Sequence, residues 1–180
     1  MKRKIILTVF AATNLLFSST QAFALVSVSV GIPFSHTFTG NWNDGTAVES
    51  DGTSGTFIQV GVPIFPGIGI DNYKTKLKDT EGAELATMMY NLYYLLPVPI
   101  INLTVGVGIG STELKCNGCA AFFDKGSANQ WYFSAGMPIM PLFDLHLSYR
   151  SVSTKIKAKT GGAESDFGGN VMGLGIGFNF

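Results

Sequence analysis

The sequence is poor in charge and in long apolar runs, and each shortage excludes a class of protein. Only 13% of its 180 residues are charged, and the 12 basic residues are balanced by 12 acidic ones. So few basic residues cannot form the electropositive patch that nucleic-acid binding requires, and we expect no nucleic-acid partner. No run of about 18 apolar residues occurs outside the amino terminus, which argues against a transmembrane helix there.

Cysteine is also scarce, with only Cys116 and Cys119 in a loop that contains Gly and Asn. A C-x-x-C redox site would need a helix start in a βαβ context, which is missing. A zinc site would need two more ligands, and the loop offers only Asp124. We therefore predict a small-loop disulfide, with free thiols and metal or redox chemistry as alternatives. We expect no cofactor and no metal.

Residues 1–24 have the features of a cleaved signal peptide. Three basic residues at 2–4 precede an apolar core at 5–17, and Ala22-Phe23-Ala24 has the small-x-small pattern of a cleavage site. Removal would leave residues 25–180 as one domain and lower the formal net charge from 0 to −3. A retained anchor helix is the alternative.

Glycine and alternation are what the sequence has in abundance. In residues 168–180 the large apolar residues occupy every second position, with Gly or Asn between them. They are Met172, Leu174, Ile176, Phe178 and Phe180. A period of two indicates a strand with one bulky apolar face and one small face. Seven earlier segments predict strands as well: 25–38, 56–62, 68–77, 84–96, 101–112, 128–137 and 142–155.

Two kinds of connection alternate between these segments. Those at 63–67, 97–100 and 138–141 are short, rich in Pro and uncharged, whereas those at 39–55, 78–83, 113–127 and 157–166 are polar. Short turns at one end and longer polar loops at the other are typical of outer-membrane barrels. We therefore predict an all-β fold: an eight-stranded, antiparallel, up-and-down transmembrane β-barrel in the bacterial outer membrane.

The rival fold is a soluble eight-stranded cup of the lipocalin kind, with its apolar residues inside. The faces opposite the apolar ones carry Gly, Ser, Thr, Asn and Gln rather than Lys and Glu in mid-strand. Because eight strands leave a lumen only as wide as ordinary side chains, we predict that the bulky residues face lipid. Five aromatic residues could form interfacial girdles: Trp131, Tyr90, Tyr94, Phe178 and Phe180.

These features resemble those of the small eight-stranded outer-membrane proteins of Gram-negative bacteria, the OmpA/OmpX-type barrels. In that group a terminal aromatic residue preceded by alternating apolar residues resembles the signal read by the barrel-assembly machinery. Phe180, Phe178, Ile176 and Leu174 match it here. The resemblance implies that outer-membrane lipids, lipopolysaccharide and the assembly machinery are partners.

Candidate chemistry is concentrated on one face of the seventh segment. The spacing of His146 and Ser148 resembles part of the outer-membrane lipid A deacylases, in which they would be base and nucleophile; the only downstream Glu is Glu164, in a loop. Since the two residues share the predicted lumen face, we favour a structural network, because buried charges need partners. We predict that it contains Asp71, Asp144, His146, Arg150, Gln59, Asn91 and Asn102, with Tyr93 and Tyr132.

These observations favour a non-enzymatic protein with a structural or surface-interaction role. An extracellular ligand would bind through the loops at 39–55 and 113–127, because long loops on a rigid scaffold commonly carry binding. Two alternatives stay open: a lipid-modifying enzyme that uses His146 and Ser148, and a narrow channel for small solutes.

Overall fold

The computed structural model describes residues 26–62, 64–78, 80, 82–96, 101–140 and 142–179. The predicted signal peptide and Phe180 lie outside these ranges. The strands are β1 Ser27–Phe38, β2 Ser50–Gly61, β3 Gly67–Leu77, β4 Glu84–Leu96, β5 Asn102–Lys115, β6 Gly126–Met140, β7 Phe143–Lys157, β8 Glu164–Asp166 and β9 Gly169–Asn179. A short helix, α1, is Cys119–Phe122. Within the described ranges, no helix has the length and apolar character needed to cross a membrane.

The eight long strands form a closed antiparallel barrel. Strands β1 to β7 pair in sequence order, and β9 closes the wall by pairing with both β7 and β1. The short strand β8 pairs only with the loop end of β7. Closure gives both edges of every long strand a neighbour, which is what a wall in lipid requires. The predicted fold class is confirmed.

Several predicted boundaries are wrong at the loop end. Strand β2 begins at Ser50, within the loop predicted at 39–55, and β5 continues to Lys115 in the loop predicted at 113–127. The loop predicted at 157–166 contains β8, and β6 includes Pro138, which was predicted to lie in a turn. Most of these errors have one cause: near the loops the outward residues are polar, so the alternation that marks a lipid-facing strand disappears.

An apolar belt surrounds the part of the barrel near the short turns. Tyr90, Leu92, Ile109 and Trp131 are each more than half exposed, as expected for side chains that face lipid. Trp131 and Tyr149 lie 5.8 Å apart between ring centroids, and Tyr149 stacks on Phe133 at 5.4 Å. The bulky residues therefore point outward over this part of the wall.

The polarity of the wall inverts along the strands, and β7 shows the inversion most clearly. Towards the short turns its outward residues are apolar and its inward ones polar. Towards the loops Val152 and Ile156 point inward and are buried, while Lys155 and Lys157 point outward and are exposed. The loop-end third of the barrel thus has the polarity of a soluble barrel, which implies that it projects beyond the lipid.

The lumen is not lined uniformly by small polar residues, and that part of the sequence interpretation is wrong. Phe57, Tyr73, Met89 and Val171 all point inward and are at most 3% exposed. Nearer the loops lies an apolar cluster that we call the loop-end core. It consists of Val48, Leu77, Ala83, Leu85, Leu114, Cys119, Ile156 and Phe167, against which Phe38, Trp42, Cys116 and Phe123 pack.

The strand glycines make room for these large inward side chains. A methyl group on Gly106 would overlap with the ring of Tyr132, and one on Gly173 would overlap with the ring of Phe57. Gly61 and Gly67 lie against Tyr93 in the same way. The alternating glycines therefore act as complements to aromatic side chains, because a narrow lumen cannot hold a large residue at every position.

We predict that Gly106→Ala destabilises the barrel by about 1–3 kcal/mol, the usual effect of overpacking. The added methyl group would displace Tyr132, which is 1% exposed. Urea unfolding in lipid vesicles measures the loss, and Ser111→Ala, at an exposed position of the same strand, is the control. Equal stabilities of the two variants would contradict this account.

Candidate functional site

The centre of the lumen holds a buried ion pair between β3 and β7. The Arg150 guanidinium donates from Nε to Asp71 Oδ2 at 2.9 Å and from Nη2 to Oδ1 at 3.4 Å. Both residues are at most 2% exposed. The guanidinium carbon lies 3.5 Å from the ring centroid of Phe57 and 5.1 Å from that of Tyr132. Charge pairing and cation–π contact together compensate for removing this cation from water.

A chain of amide side chains extends this pair across the barrel. The Gln130 amide donates to Asp71 Oδ2 at 2.7 Å and to Asn91 Oδ1 at 2.6 Å. On the opposite wall, Gln59 donates to the Tyr132 hydroxyl at 2.8 Å. These contacts join strands that are far apart in the sequence, so the network links the walls of the barrel through its interior.

A second polar cluster lies nearer the short turns and is centred on Asp144. Its Oδ2 accepts hydrogen bonds from Asn102 at 2.5 Å and from Asn179 at 2.6 Å. His146 Nε2 lies 3.9 Å from the same oxygen. Because Asn102 is on β5 and Asn179 is near the end of β9, Asp144 ties two parts of the wall to β7.

His146 and Ser148 both lie on the lumen side of β7, and the contacts of Ser148 are structural. Its hydroxyl donates to the Gly173 carbonyl at 3.2 Å and accepts from Arg150 Nη1 at 2.5 Å. A hydroxyl has one proton, so the bond to Gly173 leaves none for a general base. This arrangement favours packing over the nucleophile and base roles.

The structure divides the seven predicted lumen residues between these two clusters. Asp71, Arg150, Asn91 and Gln59 belong to the central network, while Asp144, His146 and Asn102 lie near the turns. The sequence interpretation did not include Gln130, Asn179 and Phe57. Gln130 could have been predicted from the sequence, because it lies two residues before Tyr132 on β6 and therefore on the same face of the strand. The pairing of Asp71 with Arg150, which are 79 positions apart, depends on the register of the whole barrel.

Backbone hydrogen bonds connect the four loops above the loop-end core. Asp166 N–H donates to Asn41 at 2.9 Å, and Lys159 N–H donates to Phe122 at 2.9 Å. Lys78 N–H donates to Glu49 at 3.0 Å. The loops therefore form one cap, and the apolar cluster beneath them holds it in place.

Two loop carboxyls have pKa values set by local partners. The backbone N–H of Thr46 donates to Asp44 at 2.8 Å and lowers the pKa of that carboxyl. A hydrogen bond from Lys157 lowers the pKa of Glu164, with a salt-bridge distance of 2.8 Å. Both carboxyls are therefore ionised at neutral pH.

A disulfide joins Cys116 to Cys119 at a Cα–Cα distance of 5.1 Å. Cys119 begins α1 and is 4% exposed within the loop-end core, whereas Phe122, at the other end of the helix, is 64% exposed. The disulfide therefore fixes a short helix with one side against the core and one aromatic side chain in solvent.

The residues predicted as an assembly signal lie on the outer side of β9. Leu174 and Ile176 are 45% and 49% exposed, and Phe178 contacts Phe143 at 5.1 Å between ring centroids. Phe180 lies outside the described residues. The role of these residues in assembly stays a prediction.

Comparisons with known proteins match the fold of this chain but not its sequence. No protein-family model and no curated protein matches the sequence. Neisserial surface protein A is 14% identical with a TM-score of 0.56, over 86% of this chain and 96% of that one. Outer membrane protein W of E. coli is 14% identical with a TM-score of 0.56, over 89% of this chain and all of that one.

At 14% identity these matches concern the fold alone. The chain has the fold of the small eight-stranded outer-membrane barrels, which confirms the resemblance found in the sequence. The fold and the apolar belt also agree with the predicted location in the bacterial outer membrane.

We predict that Arg150→Ala destabilises the protein by about 3–5 kcal/mol, because Asp71 would stay buried without its cation. The double variant Asp71→Asn, Arg150→Met removes both charges and should lose less stability than Arg150→Ala. Urea unfolding in vesicles measures both, with the exposed Lys155→Ala as a near-neutral control. If the double variant loses as much stability as Arg150→Ala, the unpaired Asp71 charge is not the cause of the loss.

We predict that the double variant Cys116→Ser, Cys119→Ser lowers the free energy of opening this loop by about 2 kcal/mol. This is the chain-entropy value for a disulfide that closes so small a loop. Limited trypsin digestion should then cut faster after Lys115 and Lys125, which flank the loop. Asn117→Ser, which keeps the disulfide, serves as the control. Unchanged cleavage rates would mean that the core alone holds this loop.

Proposed function

We propose that this chain is an integral outer-membrane protein with a plugged, non-conducting barrel, and that its role is structural or a surface interaction carried by the loop cap. The observation that carries the proposal is the filled lumen. Polar clusters occupy it near the turns and at its centre, and the loop-end core closes it above them. A protein built in this way can hold loops in a fixed arrangement, and over the described residues side chains fill the lumen that a solute would have to cross.

The packing of the lumen argues against a channel. Within the described residues, the space between Gln59, Ser134, His146 and Arg150 is a cavity of about 20 Å³. That is room for about one water molecule. Conduction would require displacement of the Arg150–Asp71 pair and of the apolar cluster above it.

The loop cap is the part of the molecule best suited to contact other molecules. Its chain is fixed by the disulfide, by backbone bonds between loops and by the apolar cluster beneath. Pre-organisation of this kind lowers the entropy lost on binding. Phe122 projects from the cap, and such an exposed aromatic side chain is a common anchor in interfaces.

A lipid-modifying enzyme is the weaker alternative. Its two residues would have to reach lipid outside the barrel, but His146 and Ser148 face the lumen. The hydroxyl proton of Ser148 is used by the Gly173 carbonyl, and its oxygen accepts from Arg150.

Planar-bilayer recording tests the plugged barrel, and the reconstituted protein should show no discrete conductance steps where a porin control conducts. Lipid A mass spectrometry of cells with and without the protein should give the same profile. Single-channel steps or an altered lipid A profile would overturn the proposal.

A complementation experiment tests the role of the cap. The Ser148→Ala variant is expressed in a strain that lacks the protein, at the same level of folded protein as the wild type. It should restore the detergent resistance and the surface binding of that strain. A variant with residues 117–124 replaced by a short Gly-Ser linker should not restore them. The opposite pattern would assign the role to the lumen.

A further inference from the structure

The three short turns contain no side chain with a polar group. Residues 62–67 read VPIFPG, residues 96–101 read LPVPII, and residues 137–142 read MPIMPL. Six of the seven prolines of the chain lie in these stretches. Gly and Pro are usual turn residues, but turns in water usually also contain Asn, Asp or Ser, and these stretches contain none of those three. This composition suits a less polar environment.

The described residues in and next to the first and third turns are exposed and extend the lipid-facing belt. Ile64 is 77% exposed, Phe65 67%, Ile139 62% and Leu142 51%. On the outer face of the described strands, apolar side chains continue into the turns without a polar ring between them. A contiguous apolar surface of this kind marks an interaction site, and here it continues the surface that faces lipid.

The height of the belt indicates where the membrane ends. From Ile58 on β2 to Val62, the residue after that strand, the outward apolar residues span ~13 Å along the chain and ~10 Å along the axis at a tilt of ~40°. On β4 they run from Met88 to Leu96, which is ~20 Å along the axis. An outer-membrane barrel needs an apolar band of ~25 Å, so strand residues alone do not complete it.

The backbone of the first turn supports the same conclusion. Phe65 N–H donates to the Val62 carbonyl at 3.1 Å, and Ile64, between them, has a φ of 77°. Type II turns place Gly or Asn at this position, and a β-branched residue there is strained. Burial of this exposed side chain in lipid would offset part of that cost.

The prolines remove backbone donors that would otherwise lack partners. A short turn leaves some N–H groups outside the sheet ladder, and such groups are costly where water is scarce. Proline has no N–H, so the prolines in these three stretches reduce this cost. Prolines of this kind are missing from the loops at 39–49, 116–125 and 158–168, which contact water.

We propose that the first and third short turns, which the structure describes at residues 62, 64–67, 137–140 and 142, are immersed in the interfacial region of the inner leaflet and anchor the barrel at that depth. The ligand of this surface is the phospholipid of that leaflet. The inference rests on the proposed membrane location and on the orientation with the turns towards the periplasm. A protein partner fits less well, because recognition by a soluble protein normally uses a polar rim, which these turns lack.

Three Phe→Trp variants in a Trp42→Phe, Trp131→Phe background test the depth. Phe65→Trp reports the turn, and Phe122→Trp, at nearly the same exposure, reports the loop cap. Phe133→Trp reports the belt. Each folded variant is reconstituted in phosphatidylcholine vesicles and quenched either by aqueous iodide, on the inside and outside of the vesicles, or by brominated lipids. The turn reporter should be quenched several-fold less by iodide than the cap reporter, and strongly by brominated lipid.

The three reporters separate the possible failures. If Phe133→Trp is open to iodide, the membrane location itself fails. If Phe133→Trp is shielded but Phe65→Trp is quenched by iodide as strongly as Phe122→Trp, only the anchoring proposal is overturned. Shielding of Phe65→Trp from both quenchers would indicate contact with another protein copy and would also overturn it. Ile139→Trp repeats the measurement at the third turn if Phe65→Trp does not fold.

Discussion

Closing eight strands into a barrel leaves an interior about as wide as the side chains that fill it, and most features of this protein follow from that width. A large inward residue needs a small one beside it, which is why Tyr132 lies over Gly106 and Phe57 over Gly173. An inward charge needs a partner within reach, which is why Arg150 meets Asp71. Backbone satisfaction in lipid forces the closure, and closure forces the complementary packing.

The inversion of polarity along the strands gives the barrel two parts with different surroundings. Near the short turns the outer surface is apolar and the lumen contains charges and amides. Near the loops the outer surface is polar, and the interior is an apolar core like that of a soluble domain. The change occurs along continuous strands such as β7, so the ladder of backbone hydrogen bonds passes through both parts. Only the polarity of the side chains changes at the point where the lipid ends.

The lumen and the loop cap have different consequences for function. Buried ion pairs seldom add stability relative to apolar packing, but they penalise arrangements that separate the charges. In this barrel the Asp71–Arg150 pair would favour one register of β3 and β7 across the lumen. The loop cap, in contrast, has fixed backbone and exposed side chains such as Phe122, which is the combination that binding surfaces use. The filled lumen and the shaped cap are the two observations on which the proposed surface role rests.

The sequence alone was sufficient for the class of fold, because contact with lipid places an apolar residue at every second position of a strand, and this period of two needs no tertiary information. It also placed Asp71, Asp144 and Arg150 on inward faces, since parity decides which side of a strand a residue occupies. The prediction failed where the two faces of a strand carry similar residues, as at the start of β2, where Ser and Thr occupy both faces. Only the tertiary structure decided which inward residues meet. Contact between Asp71 and Arg150 depends on the stagger accumulated over every strand between them. The loop-end core joins strand residues such as Leu85 and Ile156 to residues such as Val48 and Phe167, which lie in loops whose sequences have no period.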